Sequence, residues 1–378
     1  MGERTSAPVG RNGLVATAGI ALVLMVLALA AVFLLPVLTG QPPAATPTEG
    51  AATDVGFACD ANEAVEMLPF LNGIVRITPE SVTRLDEAGQ VVWTSPIEMQ
   101  TPVGTTSGGR LLVHDAGGFT FAVFGSDGLL WSGKTDGHID AATMSASGHV
   151  VVLSDEVGFK GVVGVYDATG TSLFQWMSSE TGYVLAAAVD PTGTRLDVSA
   201  LYTDGATAHT LLRSFTIDGA DLAECALDPG SAFPLIVYDE LGRTLLCGEE
   251  GIVAFLDGAH AGEIAYRKSA VGIRTVRTTT RGPVWVRSDD NGIGLLVSTL
   301  RGGVEGPTFA MPSSLGAFAA REDFVATASG AVVTLVDVAK GTQVFRRTFA
   351  SDVLNLGFTD DDRLVVIART GVQWVPIP

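Results

Sequence analysis

The chain has few of the residue types that carry chemistry. Its 378 residues include only three cysteines, five histidines and five tryptophans. No C-x-x-C, H-x-H, H-E-x-x-H or G-x-S-x-G spacing occurs, and no glycine-rich phosphate loop precedes a helical segment. A quinone-dehydrogenase site would need vicinal cysteines and a Trp sandwich, and no Cys-Cys pair exists. We therefore predict a non-enzymatic protein with no catalytic, cofactor-binding or metal-ligating residues.

Basic residues are also scarce. The chain has 23 Lys and Arg but 41 Asp and Glu, which gives a formal charge of −18. Such a surface repels phosphate backbones, which excludes nucleic acid as an expected partner. The odd cysteine count leaves at least one of Cys59, Cys225 and Cys247 unpaired. Cys225 and Cys247 lie on what the pattern predicts as neighbouring strands, so either a disulfide or two separate buried thiols fits them.

One long apolar run stands near the start of the chain. Residues 13–38 contain no charged side chain and would form a helix of roughly 39 Å, longer than the ~30 Å hydrocarbon core of a bilayer. Arg4 and Arg11 precede it, so we expect residues 1–12 in the cytoplasm and the remainder outside. The length favours a retained signal-anchor helix, single-pass in the cell membrane, over a cleaved signal peptide. Residues 39–56, rich in Pro, Ala, Thr and Gly, predict a spacer before an extracytoplasmic domain at 57–378.

Short apolar or alternating runs, bounded by Gly, Asp, Asn or Pro, fill the rest of the chain. Turns such as Asp127-Gly128, Asp218-Gly219 and Asn291-Gly292 are typical of tight hairpins. The runs repeat as four-strand units of about 40 residues, which is the signature of a β-propeller blade. Six complete units begin at these places: near Thr101, Gly137, Val184, Gly230, Val271 and Leu315.

The two ends of the domain supply partial units, Phe70–Ile97 and Val353–Pro378. We expect Val353–Phe358 and Arg363–Ala368 to complete a blade begun by Ser81–Leu85 and Val91–Thr94, because an open sheet edge leaves backbone groups unpaired. The prediction is an all-β propeller of seven four-stranded blades, with eight as the alternative and a pair of β-sandwiches less favoured.

Several segments resemble a known family. They are Gly158–Asp167 with Gly170, Phe174–Trp176 and Gly182–Val184, together with Gly89–Trp93, Gly117-Gly118 and Asp127-Gly128. These residues resemble the domain-of-unknown-function family 5711 of bacterial membrane-anchored proteins. The resemblance implies an N-terminal anchor and an exported propeller-like domain, and it implies no activity. The units also resemble quinoprotein and WD-type repeats, which is an analogy of fold alone.

The remaining candidate site residues are histidines and acidic clusters. A propeller could bring distant histidines to its axis, but separate surface or loop positions are the favoured interpretation. Asp289–Gly292 and Asp360–Asp362 each predict a turn between strands, with cation binding as the less favoured alternative because the ligand alternation of a calcium loop is missing. The histidines are His114, His138, His149, His209 and His260.

These observations favour a binding or scaffold module of the bacterial cell envelope, tethered by residues 13–38. We expect its partner to be an envelope protein or a wall polymer. The longer connections Asp155–Gly161 and Thr203–His209, between second and third strands, are the predicted binding face. Two alternatives stay open. One is an enzyme (a hydrolase, lyase or quinone-type oxidoreductase) with a site in the axial channel, and the other is a ligand-sensing ectodomain that acts through another membrane protein.

Overall fold

The computed structural model describes residues 55–377, except 61, 63, 181, 271, 312 and 313. The predicted membrane span at 13–38 and residues 39–54 of the predicted spacer lie outside this range. Within the described range, no helix combines the length and apolar composition that crossing a bilayer requires.

The described chain folds into eight antiparallel sheets, which we number as blades in chain order. The first strand, β1 (Val55–Ala58), belongs to the last blade. Blade 1 contains β2–β5, at Glu66–Phe70, Gly73–Ile77, Ser81–Leu85 and Val91–Pro96. Blade 2 contains β6–β9, at Pro102–Ser107, Arg110–Asp115, Thr120–Gly125 and Gly128–Lys134. Blade 3 contains β10–β13, at His138–Met144, Val150–Asp155, Val162–Tyr166 and Ser172–Met177. Blade 4 contains β14–β17, at Tyr183–Val189, Arg195–Asp204, Thr207–Thr216 and Asp221–Ala226.

Blade 5 contains β18–β21, at Leu235–Tyr238, Thr244–Gly248, Gly251–Phe255 and Ile264–Ser269. Blade 6 contains β22–β26, at Ile273–Thr279, Gly282–Ser288, Leu295–Arg301, Val304–Glu305 and Phe309–Met311, and both β25 and β26 pair with β24. Blade 7 contains β27–β30, at Ala317–Arg321, Phe324–Ser329, Val332–Asp337 and Thr342–Thr348. Blade 8 contains β31–β33, at Val353–Phe358, Arg363–Ala368 and Gly371–Pro376, and is completed by β1.

Apolar clusters lie between the faces of neighbouring blades all round the molecule. One cluster joins each successive pair, from blades 1 and 2 to blades 7 and 8. A further cluster closes the circle, because Ile74 and Leu85 of blade 1 pack with Ile367 and Trp374 of blade 8. The second and third strands are buried on both faces, which explains why they read as continuous apolar runs in the sequence. The domain is therefore a closed eight-bladed β-propeller.

The prediction of seven blades is wrong, and the alternative of eight is the one confirmed. The six interior units are blades 2–7. The predicted composite blade does not form, because Ser81–Leu85 and Val91–Pro96 belong to a complete blade 1 whose inner strand is β2. Glu66 and Pro69 hide β2 in the sequence, since strands are poor in both residues. The inner strand of a blade is an edge strand, with one side unpaired. Proline has no N–H, and Pro69 is tolerated here because no strand pairs with that side.

The ring closes through pairing between the two ends of the described chain. β1 pairs antiparallel with β33, from Val55 opposite Trp374 to Ala58 opposite Gly371. The expected pairing of the tail with the beginning is confirmed, although with strands other than those predicted. β1 starts at Val55, two residues before the predicted start of the domain at 57.

A second contact between blades repeats at the outer edge. The turn between third and outer strands carries a glycine with positive φ that packs on an aromatic ring of the preceding blade's outer strand. Gly170 packs on Trp131 in this way, and a Cβ there would lie 2.7 Å from the ring. The same arrangement occurs at Gly89 on Phe57, Gly219 on Phe174 and Gly303 on Tyr266. The indole N–H of Trp93 also donates to the carbonyl of Ser126 in the next blade, at 2.8 Å.

These contacts give the tryptophans a structural role. Trp93, Trp131 and Trp176 lie on outer strands and Trp374 on a third strand, and all four pack between neighbouring blades. Trp285 lies on a second strand and is fully buried.

Gly170→Ala should destabilise the ring more than Gly230→Ala. Both glycines have positive φ, at 89° and 103°, so both substitutions carry backbone strain. Only Gly170 faces a ring at less than contact distance, whereas Gly230 faces open space. We expect about 1–2 kcal/mol of lost stability for Gly230→Ala and at least about 3 kcal/mol for Gly170→Ala. Thermal unfolding followed by calorimetry measures both, and equal effects would contradict the proposed steric contact.

Candidate functional site

The propeller presents two faces and an axial channel. The lower face carries the turns that join inner to second strands and third to outer strands. The upper face carries the connections from second to third strands and from each outer strand to the next inner strand. The inner strands of the eight blades succeed one another around the axis and line the channel.

Four inner strands contain a β-bulge near their upper end. The registers shift between Ile139 and Ala141, Val184 and Ala186, Ile273 and Thr275, and Val353 and Asn355. Each shift leaves one residue without a cross-strand partner, and a bulge redirects such a side chain. Because the inner strands line the channel, these residues lie around its upper end. The four are Asp140, Leu185, Arg274 and Leu354, and all but the half-buried Leu185 are exposed.

The channel holds opposite charges on different blades. Burial and the nearby Asp155 raise the pKa of Asp140 in blade 3, and His138 partly offsets this. Burial lowers the pKa of Arg277 in blade 6. Exposed threonines Thr105, Thr143 and Thr278 supply hydroxyl groups along the inner strands. The channel is therefore polar and not an apolar plug.

The channel widens at the lower face into a cavity of about 960 Å³, lined by blades 2–7. Its charged lining residues are Asp239, Glu240, Arg321 and Glu322, and two of them, Asp239 and Arg321, are engaged with other residues of the protein. Asp239 is buried and pairs with Arg243 at 2.7 Å, while Arg321 donates to the carbonyl of Thr359 and pairs with Asp362 at 3.4 Å.

The longest hairpin of the described chain lies on the upper face of blade 4. β15 and β16 are ten residues each and form a long hairpin around Gly205, whose φ is 63°. The segment Thr203–His209, predicted as a loop, is therefore mostly strand, because its threonines suit an extended conformation. Tyr202 pairs with His209 across this hairpin, with ring centroids 5.3 Å apart.

The other predicted loop, Asp155–Gly161, lies on the same face and is held against blade 4. The backbone N–H of Lys160 donates to the carbonyl of Ser178 at 2.6 Å, and Val184 N–H donates to the carbonyl of Lys160 at 3.2 Å. The Lys160 ammonium lies 6.0 Å from the ring centre of Tyr183. The two connections are therefore neighbours on one face, as the sequence predicted.

Several large side chains are exposed where these connections meet. Val157 is fully exposed, Tyr183 is 65% exposed and Phe159 is 37% exposed. We call Val157, Phe159, Lys160, Tyr183, Tyr202 and His209 the ribbon face. Tyr202 and His209 are half-buried and the other four are exposed. A cluster of apolar and aromatic side chains that water reaches is typical of a binding surface.

The predicted acidic clusters are turns. The Asp289 carboxylate accepts N–H groups of Asn291 and Ile293 at 3.1 and 3.0 Å, between β23 and β24. Asp361 accepts the Thr359 hydroxyl and pairs with Arg363 at 2.6 Å, between β31 and β32. The five histidines lie in blades 2, 3, 4 and 5 and do not meet. Among residues 55–377 as described, no group of three or more His, Cys, Asp or Glu has the geometry of a metal site.

The open question of the two cysteines has a structural answer. Cys225 packs with Leu246 on the blade 4 side of β19, whereas Cys247 packs with Leu245 on the blade 6 side. β17 and β19 belong to different blades, so the prediction of neighbouring strands is wrong. The sheet of blade 5 separates the two thiols, which form no disulfide, and Cys247 is buried while Cys225 is partly buried. Burial raises the pKa of the Cys247 thiol well above its usual value.

A polar cavity of about 900 Å³ lies between blades 5 and 6 and includes Asp289. Glu305 is its centre. Arg287 and Lys268 approach its carboxylate at 3.1 and 3.2 Å, and the Ser298 hydroxyl donates to it at 2.8 Å. Burial opposes the charge on Glu305, but these three donors outweigh it and lower the pKa. Through Lys268 this network joins β25 to blade 5. The sequence analysis did not predict β25.

Glu305→Gln should lower stability at neutral pH and lose its effect in acid. Because the pKa of Glu305 is lower in the folded than in the unfolded state, its contribution is present above about pH 4.5 and disappears as the pH falls through the folded value. Thermal midpoints of wild type and variant at pH 7 and pH 4 measure this. Glu263→Gln, at an exposed pair with His260, is the matched control and should change little. A gap between wild type and Glu305→Gln that persists undiminished in acid would refute this linkage.

The architecture defines an eight-bladed β-propeller with a polar channel and an exposed ribbon face. Residues 53–224 match the model of a family of unknown function (DUF5711), which confirms over that range the resemblance seen in the sequence. No curated protein matches this sequence.

Solved structures extend the likeness to most of the chain. BamB from Moraxella catarrhalis is 13% identical, with 84% of this chain and 98% of that chain covered and a TM-score of 0.56. Sqt1 from Saccharomyces cerevisiae is 9% identical, with 85% and 98% covered and a TM-score of 0.63. The computationally designed Ika8 protein is 15% identical, with 82% and 95% covered and a TM-score of 0.54. At these identities the likeness is one of fold alone.

Proposed function

We propose that this protein is a non-enzymatic binding or scaffold module of the bacterial cell envelope. In this proposal residues 13–38 hold it in the membrane and residues 39–56 space it from the surface. The propeller outside then recruits an envelope protein or a wall polymer through the ribbon face. The single observation that carries the proposal is the ribbon face itself, where exposed Val157, Phe159 and Tyr183 lie beside a rigid hairpin.

The ribbon face is suited to binding because its backbone is already ordered. The hydrogen bonds of Lys160 to Ser178 and Val184 hold the blade 3 loop, and the continuous pairing of β15 with β16 holds the hairpin. A preorganised surface loses little conformational entropy when a partner arrives. Tyrosines such as Tyr183 and Tyr202 add contact area at low entropic cost.

The charges around the ribbon face indicate how a partner would approach. Asp155 and Asp204 are exposed at its rim, and Lys160 is the exposed base among its residues. Such rim charges influence the rate of encounter and the choice of partner more than the final affinity. An apolar or aromatic surface bordered by basic groups would complement this arrangement.

Site-specific photocrosslinking in intact cells tests the proposal. A photoreactive residue placed at Tyr183 or Tyr202 of the full-length chain should give the same discrete adduct, while one at Val304, 72% exposed on blade 6, should not. Adding Phe159→Asp should reduce the adduct by about tenfold or more, because it places an unpaired charge in the apolar contact.

Two results would overturn this role. One is the absence of any adduct from both tyrosine positions in cells that express the protein normally. The other is an adduct pattern at Val304 that equals the pattern at Tyr183.

A further inference from the structure

Two arginines of the inner strand β22 differ from most others in this acidic protein. Arg195, Arg243, Arg287 and Arg363, for example, each pair with a carboxylate within 3.1 Å. Among the described residues, no carboxylate lies within ion-pair distance of Arg274 or Arg277. Arg277 donates one hydrogen bond, at 3.2 Å, to the carbonyl of its neighbour Val276, and Arg274 donates none within the described structure.

Both residues are exposed on β22, an inner strand that lines the channel. Arg274 is the extra residue of the β22 bulge. Arg277 lies opposite Val284 in register, on the face of blade 6 that looks toward blade 7, while Val276 points to blade 5. Arg277 is exposed to water, yet burial lowers its pKa. A guanidinium that water reaches while protein surrounds most of it is the condition expected inside a channel.

The inner strands beside β22 contain no carboxylate, and Glu240 and Glu322 lie in the lower-face turns that follow these strands. β18, on one side, is Leu-Ile-Val-Tyr, and β27, on the other, is Ala-Phe-Ala-Ala-Arg. Phe318 and Ala320 of β27 face blade 6 and are apolar. The one ionisable side chain at the end of β27, Arg321, is positive and is engaged with Thr359 and Asp362.

A partly desolvated guanidinium without a counter-charge is costly unless something else satisfies it. Its planar N–H groups match the two oxygens of a carboxylate or phosphate, which they bind in a bidentate manner. The hydroxyl of Thr278, exposed on the same strand, can add a neutral donor. Arg274, exposed three residues earlier on the same inner strand, places a second guanidinium group on this side of a protein whose net charge is −18.

We propose that Arg274 and Arg277 form an oxyanion-binding site in the axial channel, for a ligand that carries a phosphate or carboxylate group. The site is separate from the ribbon face and does not depend on the function proposed above. Its ligand enters from the channel mouth and is held by bidentate hydrogen bonds to the guanidinium groups.

Isothermal titration of the full-length chain in mild detergent, with pyrophosphate and with citrate as probes, tests this site. Wild type should bind at least one probe with a dissociation constant below about 1 mM. Arg277→Gln and Arg274→Gln should each weaken binding by about tenfold. Arg277→Lys should weaken it less, because lysine keeps the positive charge although it lacks the paired N–H groups of the guanidinium. The stronger of the two probes identifies phosphate or carboxylate as the preferred group.

Arg346→Gln is the matched control, because Arg346 is exposed on the outer strand β30, away from the channel. It should bind both probes as wild type does. Thermal midpoints within about 2 °C of wild type show that the β22 variants keep their fold. If the glutamine variants unfold, the comparison of wild type with Arg277→Lys tests the site instead. The proposal fails if neither probe binds, or if binding is the same in wild type and in the folded β22 variants.

Discussion

Face-to-face packing between neighbouring blades is the constraint on which this structure depends. Each blade is apolar on both faces of its middle strands, so a single blade would leave both faces in water. Burying them requires a neighbour on each side, and only a closed ring provides that for every blade. The cluster of Ile74, Leu85, Ile367 and Trp374 between blades 8 and 1 is therefore as necessary as those inside the chain. The outer aromatic rings, set against turn glycines of the next blade, fix the spacing at the rim.

Closure also determines what happens at the axis. Each inner strand has one paired edge and one free edge. A strand with a free edge tolerates prolines and bulges that would break the pairing of a central strand. Pro69 sits in β2 without losing a ladder hydrogen bond, and bulges at Asp140, Leu185, Arg274 and Leu354 interrupt pairing on one side only. Because one edge of each inner strand is unpaired, its sequence is less restricted than that of a central strand. Polar and charged side chains can therefore occupy inner strands and line the channel.

The frame and its surfaces use different residues. The packing is carried by aliphatic side chains and by rings such as Trp131, while the ribbon face is built from a lengthened hairpin in blade 4 and a loop of blade 3 docked beside it. Because the hairpin extends beyond the blade body, its length and side chains can differ without disturbing the core. This separation is common in propellers, where a rigid ring supports variable connections.

By itself the sequence determined the class of fold. A period of about 40 residues and continuous apolar runs such as Val150–Leu153, bounded by turn glycines, report local geometry and burial, and both are properties of short segments. It also located the acidic turns at Asp289 and Asp361 and the shared face of the two long connections. Only the tertiary structure decided the blade number, the partner of β33 and the bulge at Arg274. Those depend on which distant strands pair and on where a register slips, and no local pattern encodes a contact between Val55 and Trp374.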